Sequence, residues 1–531
     1  MQAFVEHTIK HRTNELLKSE DANSIESHEH INVDGRFLQA IKSSFEVKNL
    51  KNQSKQKKKI KILETKMEEL FQSTTMTNVT LDDIIALAIA YFNVGLIHID
   101  CTEENELHAC ENYFTRCFEL LKGKELHCKA ILTSVRVCIK LRCILLKQQK
   151  TQKSELFLHK AMELYLEYTK EENKYPNPIN IPSILGIEKE ELNSRLLLDE
   201  LHLTTINYLI QQYHYWPKNE TKLVIYIHNL LNKQMPETMK FLDVGCYYWA
   251  LTSVNLTEYF LSECRFTEAR HHLAAAEYMM EKFYKDKLEN TTSSEPLHAL
   301  MLDKYQDASA NIARYWGFYG NILLRSSKDK FYQRNDESCK TDNSKSKSLM
   351  NSKEDITDFL LFTDLEKDLE SITSKITDTC VLNLNDVKTI FMKILNWLNI
   401  AQKYFTVEKN FVTHGRILLE TSSAYKYFAH FEYSKDNLIK MHKRRIEILE
   451  KGIEKLHLKA NTGEELQVFK QIHFELGTAY TSFLSIRDDK LDKLEKSIFI
   501  NTDCTNMSNI NFETLELVKK AKEYFDLYLS S

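Results

Sequence analysis

The 531-residue sequence predicts an all-α protein, an α-solenoid of antiparallel helix pairs of the tetratricopeptide kind. Three observations predict it. Only 11 Gly and 6 Pro occur in the whole chain, far below the usual roughly 7% and 5%, so turns that need positive φ and rigid loops are few. Apolar residues recur at helical spacing in blocks separated by short polar turns. The stretch "LTEYFLSECRFTEARHHLAAAEYMM", residues 256–280, has the residue order of a tetratricopeptide helix pair.

Along the chain, residues 1–75 form a polar, lysine-rich segment ending in "KNQSKQKKKIKILETKMEELF", whose apolar spacing supports at most one charged helix. "KQKKKIK" within it reads as a solvated helix face, because it lacks the interleaved aromatics of a nucleic-acid patch and acidic residues follow at once. Residues 76–325 form a first helical-repeat half. Three prolines crowd into "YPNPINIP", Tyr175 to Pro182, and none follows Pro296, so the later chain lacks the strongest helix breaker. Residues 326–354 lose helical periodicity and turn Ser/Lys/Asn/Asp-rich, the composition of a flexible insert. Residues 355–531 form a second helical-repeat half.

The repeat reading assigns packing roles. Tetratricopeptide pairs place large and small residues so that two helices approach closely. Leu256, Phe260, Ala269, Leu273 and Ala276 fit that order, with "SECRFTE" as the turn and the alanines as contact points. A looser match has Tyr91, Val94, Gly95, Cys110, Phe114 and Cys117. A third begins at Leu476, Gly477 and Tyr480, with "ETLELVKKAKEYFDLYL" as its second helix. Gly317 and Gly320 in "YWGFYG" sit in a helical context and read as close helix contacts.

Chemistry finds little purchase. A formal net charge of −4 with 27% charged residues gives no field that selects nucleic acid or an anionic membrane. Eleven cysteines, an odd number without regular spacing, do not form a disulfide framework and suit a reducing compartment. No run of about 18 apolar residues occurs, so no membrane insertion is expected. His271 and His272 are helix neighbours pointing about 100° apart, which does not suit one tetrahedral metal site; one polar-face and one partly buried histidine are expected. The P-loop signature, G-x-G-x-x-G and G-x-S-x-G are all absent from the sequence. The expectation is a non-enzyme with no catalytic residues, no metal and no cofactor.

Four blocks then carry a family resemblance: "AYFNVGLIHIDC", "YWALTSVNLTEYFLSECRFTEARHHLAAAEYM", "KMHKRRIEILE" and "KQIHFELGTAYTSF". They resemble, in the same order from about Ile84 to the C-terminus, the KIF-binding protein family of animal cells. The resemblance implies a right-handed helical solenoid in two halves, whose concave face grips the motor domain of some kinesins and keeps it off the microtubule. It implies inhibition by occlusion in the cytoplasm, in association with the cytoskeleton, with consequences for organelle transport, neuronal outgrowth and mitotic motors. A monomer is expected. Transferred position by position, the family's motor contacts fall on Tyr208 in "NYLIQQY", Gln234 in "NKQMPE" and Asn255 in "SVNLTEY", the last replacing a threonine. Read as residues alone, Tyr208 serves equally as a core aromatic, and Gln234 and Asn255 as exposed helix or turn residues. The chain departs from the family in its lysine-rich start and in ending near "KEYFDLYLSS", where the family continues; a divergent end, a shorter isoform or a fragment would each account for this.

The competing reading is a tetratricopeptide scaffold for a short peptide or another adaptor. It requires a narrow basic groove, and no regular Lys/Asn ladder stands out at the inner repeat positions.

Overall fold

The computed structural model describes residues 31–50, 52–76, 79–99, 103–170, 174–187, 194–212, 221–241, 245–289, 296–338, 359–456, 463–487 and 512–530. Among them every regular element is a helix and no strand occurs. The chain divides into two compact units, Met1–Gln234 and Met235–Ser531, so the division lies well before the polar stretch 326–354. The helix Pro296–Ser338 runs into that stretch. There Ser327 is buried and Phe331 packs on Phe431 at 5.4 Å, so the polar run keeps one packed face; residues 339–354 lie outside the described residues.

The first unit contains α1 (Gly35–Lys48), α2 (Gln53–Met76), α3 (Leu81–Ile97), α4 (Glu104–Leu121), α5 (Ile131–Lys147), α6 (Thr151–Tyr168), a single turn Ile181–Ile184, α7 (Ser194–Gln212) and α8 (Thr221–Phe241), within which the boundary falls. The sequence reading foresaw α2 but not α1. Helix α1 buries Phe37, Ala40, Ile41, Ser44 and Val47, and α2 buries Ile60, Leu63, Met67 and Leu70, both at helical spacing amid lysines. Helix α1 packs mainly on α3, α3 also on α4, and α5 on α6, while α3, α5 and α7 contact successively, skipping one helix.

Helix α3 is apolar on all sides because α1, α2 and α4 cover it. Thr80 and Asp83 close a capping box at its start, each accepting from the other's backbone N–H, at 3.2 and 3.3 Å. Near its end a Cβ on Gly95 would stand 2.7 Å from the Phe114 ring of α4, so only glycine admits the ring there. The Cys110 thiol donates to the Gly95 carbonyl at 3.2 Å. This is the looser sequence match in three dimensions.

The second unit contains α9 (Gly245–Ser262), α10 (Phe266–Phe283), a π-helical turn (Tyr284–Leu288), α11 (Pro296–Ser338), α12 (Glu366–Thr373), α13 (Leu384–Tyr404), α14 (Phe411–Ala429), α15 (Lys435–Leu456), α16 (Gly463–Arg487) and α17 (Phe512–Ser530). Leu256, Phe260, Ala269, Leu273 and Ala276 are all fully buried, and α9 packs closely on α10. The turn between them ends α9 with Cys264 at φ 56° and Arg265 donating to the Phe260 carbonyl at 2.7 Å, a Schellman-type closure without glycine. Cβ atoms on Gly317 and Gly320 would fall 2.5 Å from Leu398 and 2.4 Å from Ile394, which seats α13 against α11. Gly477 lies in the same way against Phe525 of α17.

His271 and His272 are both buried, which corrects the expectation that one would face a polar surface. The reason is the segment that leads into α12. Phe362 packs on the His272 ring at 4.8 Å, and its backbone N–H donates to His271 Nδ1 at 3.4 Å, covering the face that α9 leaves open. Burial, reinforced by the Arg270 guanidinium, pushes the His271 imidazole down to about 4. The unfolded chain therefore binds more protons between about pH 6.5 and 4, so the stability present above that window falls as pH drops through it, by on the order of 3 kcal/mol. Urea midpoints across this range should decline less in His271→Gln, whose amide can still accept from Phe362. Parallel slopes in the two proteins would contradict the assignment.

Candidate partner-binding surface

The three candidate contact residues fall in different units, Tyr208 and Gln234 in the first and Asn255 in the second. Tyr208 is half-buried on α7, between the buried Asn207 and Leu209, and the Arg142 guanidinium of α5 lies 4.2 Å above its ring. One face of the ring is thus committed to an internal cation–π contact. Gln234 is half-buried on α8, two residues before Pro236, and its carboxamide atoms are covered.

Asn255 is half-buried on α9 and belongs to a larger polar set. The Tyr315 hydroxyl of α11 donates to Glu258 at 2.9 Å and lies 3.4 Å from the Asn255 carbonyl oxygen. One residue earlier, Arg314 pairs with Glu420 of α14 at 2.6 Å. Although burial works against its charge, the facing Glu420 carboxylate raises the Arg314 pKa further above its ordinary range, so the guanidinium stays charged.

Toward the start of α11 the polar set continues. Tyr247 donates to Asp307 at 2.9 Å, and Lys304 lies 4.8 and 4.5 Å over the rings of Tyr247 and Tyr248. Burial raises the Asp307 carboxyl above its ordinary value, and the hydrogen bond from Tyr247 pulls it partly back. Asp303 accepts from Lys409 at 3.1 Å, and that ammonium sits 3.5 Å over the ring of the half-buried Tyr404. Asp303, Asp307, Asn311 and Tyr315 follow one another every four residues and so mark a single stripe of α11. Aromatic rings paired with charges in this way suit protein recognition. The sequence reading passed over this stripe. Its signal was the four-residue spacing in "MLDKYQDASANIARYW", which is visible only once α11 is known to face α9, α13 and α14.

The first unit also carries a groove of about 550 Å³ on α2, lined by Glu64, Glu68 and Glu69 with Tyr91 and Tyr113. Tyr113 donates to Glu64 there. Among the described residues no group of three or more His, Cys, Asp or Glu side chains is placed to hold a metal ion, and no helix is long and apolar enough to cross a membrane.

The polar stripe lies within the part of the chain that a known family model matches. That model, described as KIF-1 binding protein C terminal, covers residues 247–531. The chain belongs to the KIF-binding protein family. Curated relatives extend the likeness into the first unit. The KIF-binding protein of Danio rerio is 24% identical over 465 residues, covering 84% of this chain and 68% of the relative. That of Homo sapiens is 24% identical over 460 residues, with 84% and 70% covered. That of Drosophila melanogaster is 25% identical over 447 residues, with 83% and 70% covered. No solved structure matches the chain at a significant level.

Proposed function

We propose that this protein is a non-catalytic adaptor that binds kinesin motor domains and blocks their engagement with microtubules. The observation that carries this reading is the family likeness: relatives named for KIF binding align with more than four-fifths of the chain. The arrangement of the helices supports it physically. A right-handed solenoid of antiparallel pairs would present one face of successive helices to a folded partner, and tyrosine–charge clusters such as that of Tyr247, Lys304 and Asp307 are typical anchors of protein interfaces. In this reading the protein works in the cytoplasm, in association with the cytoskeleton, as a monomer that regulates transport along microtubules.

Tyr208, Gln234 and Asn255 are the proposed motor contacts. Their geometry grades the expected effects. Tyr208→Ala should weaken a motor complex by about 1–3 kcal/mol, as expected for an aromatic interface residue. Gln234→Ala should act partly through folding because its amide is covered. A pull-down of purified kinesin motor domains, run as a panel with wild type and Tyr208→Ala beside thermal melts, tests the assignment. The expected result is capture of a subset of motors by wild type and reduced capture by the variant at temperatures well below its melting point, which the lost Arg142 contact lowers. Equal capture by a folded variant would remove Tyr208 from the interface, and capture of no motor would overturn the function.

A further inference from the structure

The first half of α2 carries an electrostatic conflict that the fold leaves standing. Its first eleven residues, Gln53 to Leu63, hold five lysines and no acid. Lys55 with Lys59 and Lys57 with Lys61 are four apart, and Lys55, Lys58 and Lys61 are three apart, so like charges are neighbours on the helix surface. They also stand at the positive end of the helix dipole. Both effects disfavour the helix. The next two helices do the reverse and open on acids, α3 with Asp82 and Asp83, α4 with Glu104 and Glu106.

Packing divides these lysines into two sets. Ile60, Leu63, Met67 and Leu70 turn the apolar stripe of α2 inward. On its flanks, Lys57 reaches Glu106 of α4 at 3.7 Å and Lys59 reaches Glu46 of α1 at 4.0 Å. Lys55, Lys58 and Lys61 lie on the opposite side of the helix, along one ridge of three-residue spacing. All three are exposed, and among the described residues none of them has an ion pair. Beside the ridge, Ile62 is 61% exposed, with Lys58 and Lys66 one turn to either side.

We infer that this ridge is a docking surface for an acidic segment of a partner protein. Carboxylates laid along Lys55, Lys58 and Lys61 supply the counter-charge that the fold withholds, and they relieve a repulsion already present in the free protein. A local conflict of this kind, uncompensated within the chain, is what a functional surface looks like. The three lysines span about 9 Å of helix axis, the reach of about three residues of extended peptide. Ile62 offers an aliphatic contact next to those acids. A nucleic acid finds no stacking platform here, since residues 53–66 contain no aromatic ring. A membrane finds no apolar face to admit, because that of α2 is packed inward with α1 and α3. The surface goes beyond motor binding and stands or falls independently of it.

The test is fluorescence anisotropy on the full chain with a labelled octapeptide carrying four consecutive glutamates and then a leucine. Saturable binding is expected at low salt, weakening about ten-fold or more between 50 and 300 mM salt, as several screened charge contacts require. The combined variant Lys55→Gln, Lys58→Gln and Lys61→Gln should bind at least ten-fold more weakly. Free of peptide, it should melt at the same temperature as wild type or higher, because the repulsion is gone. A control variant with the same change in net charge, Lys440→Gln, Lys443→Gln and Lys451→Gln at exposed positions of α15, should bind within two-fold of wild type. The peptide with glutamine for glutamate should bind at least ten-fold more weakly. Equal losses in the two triple variants would mean that net charge alone attracts the peptide, and a lower melting temperature in the α2 variant would mean that the lysines serve the fold. Either result overturns the proposal, as do no saturable binding at low salt and tighter binding of an oligouridylate or of anionic vesicles that the α2 variant abolishes.

Discussion

Arg445→Met should destabilise the second unit by about 3–5 kcal/mol, the cost of removing one partner from a buried ion pair. Arg445 is fully buried on α15, within the block "KMHKRRIEILE". Its Nε donates to the Ser422 hydroxyl of α14 at 2.8 Å, and its Nη2 meets the Glu475 carboxylate of α16 and, at 3.4 Å, the Thr478 hydroxyl. One guanidinium thereby ties three successive helices. Methionine fills the stem volume but leaves the Glu475 carboxylate, whose side chain is 13% exposed, without its main counter-charge. Lysine should also fail, because its single ammonium cannot reproduce the fork that spans α14 and α16. If desolvation is the cause, Arg445→Met combined with Glu475→Leu should recover much of the loss. Urea denaturation of the three variants measures this, and a Met variant within 1 kcal/mol of wild type would show that the pair is not structurally important.

The second large effect concerns the contact between Gly95 and Phe114 in the first unit. Phe114 is fully buried and packs against Phe92 at 5.6 Å as well as over Gly95. Phe114→Ala should cost about 3–5 kcal/mol in lost burial and a cavity. Gly95→Ala should cost about 1–3 kcal/mol, because a Cβ 2.7 Å from the ring outweighs the gain of roughly 1 kcal/mol in helix propensity. In the double variant the added methyl enters space the ring has left, so the clash vanishes and the propensity gain remains. The two changes should then be coupled by about 1–3 kcal/mol in the favourable direction. Strict additivity in denaturation midpoints would mean that the helices separate to relieve the contact.

This contact was legible in the sequence, and the reason is instructive. Tetratricopeptide-like order marks positions where glycine or alanine must face a large residue, and Gly95 with Phe114, Gly477 with Phe525, and Ala269 with Ala276 on their buried faces all occupy such positions. Local spacing carries that information. Helix α1 escaped notice because its apolar stripe is short and the surrounding segment is rich in lysine. The burial of both His271 and His272 escaped because the covering residue, Phe362, arrives from a distant part of the chain. The boundary within α8 has no composition shift, so the polar stretch 326–354 drew attention instead. For the candidate site, the family blocks pointed to Tyr208, Gln234 and Asn255, but only packing shows that Tyr208 rests on Arg142, that the Gln234 amide is covered and that Asn255 joins Tyr315 and Glu258.

The central claim is occlusion of a motor, and microtubule co-sedimentation tests it most directly. A purified kinesin motor domain, chosen as one the protein captures, is mixed with stabilised microtubules and a non-hydrolysable nucleotide that holds it on the track, with increasing amounts of the full chain. Occlusion predicts that the motor moves from pellet to supernatant in proportion to the protein added, that the protein remains with it in the supernatant, and that Tyr208→Ala shifts the titration to higher concentration. A motor that stays in the pellet at saturating protein, or that carries the protein into the pellet with it, would contradict the account.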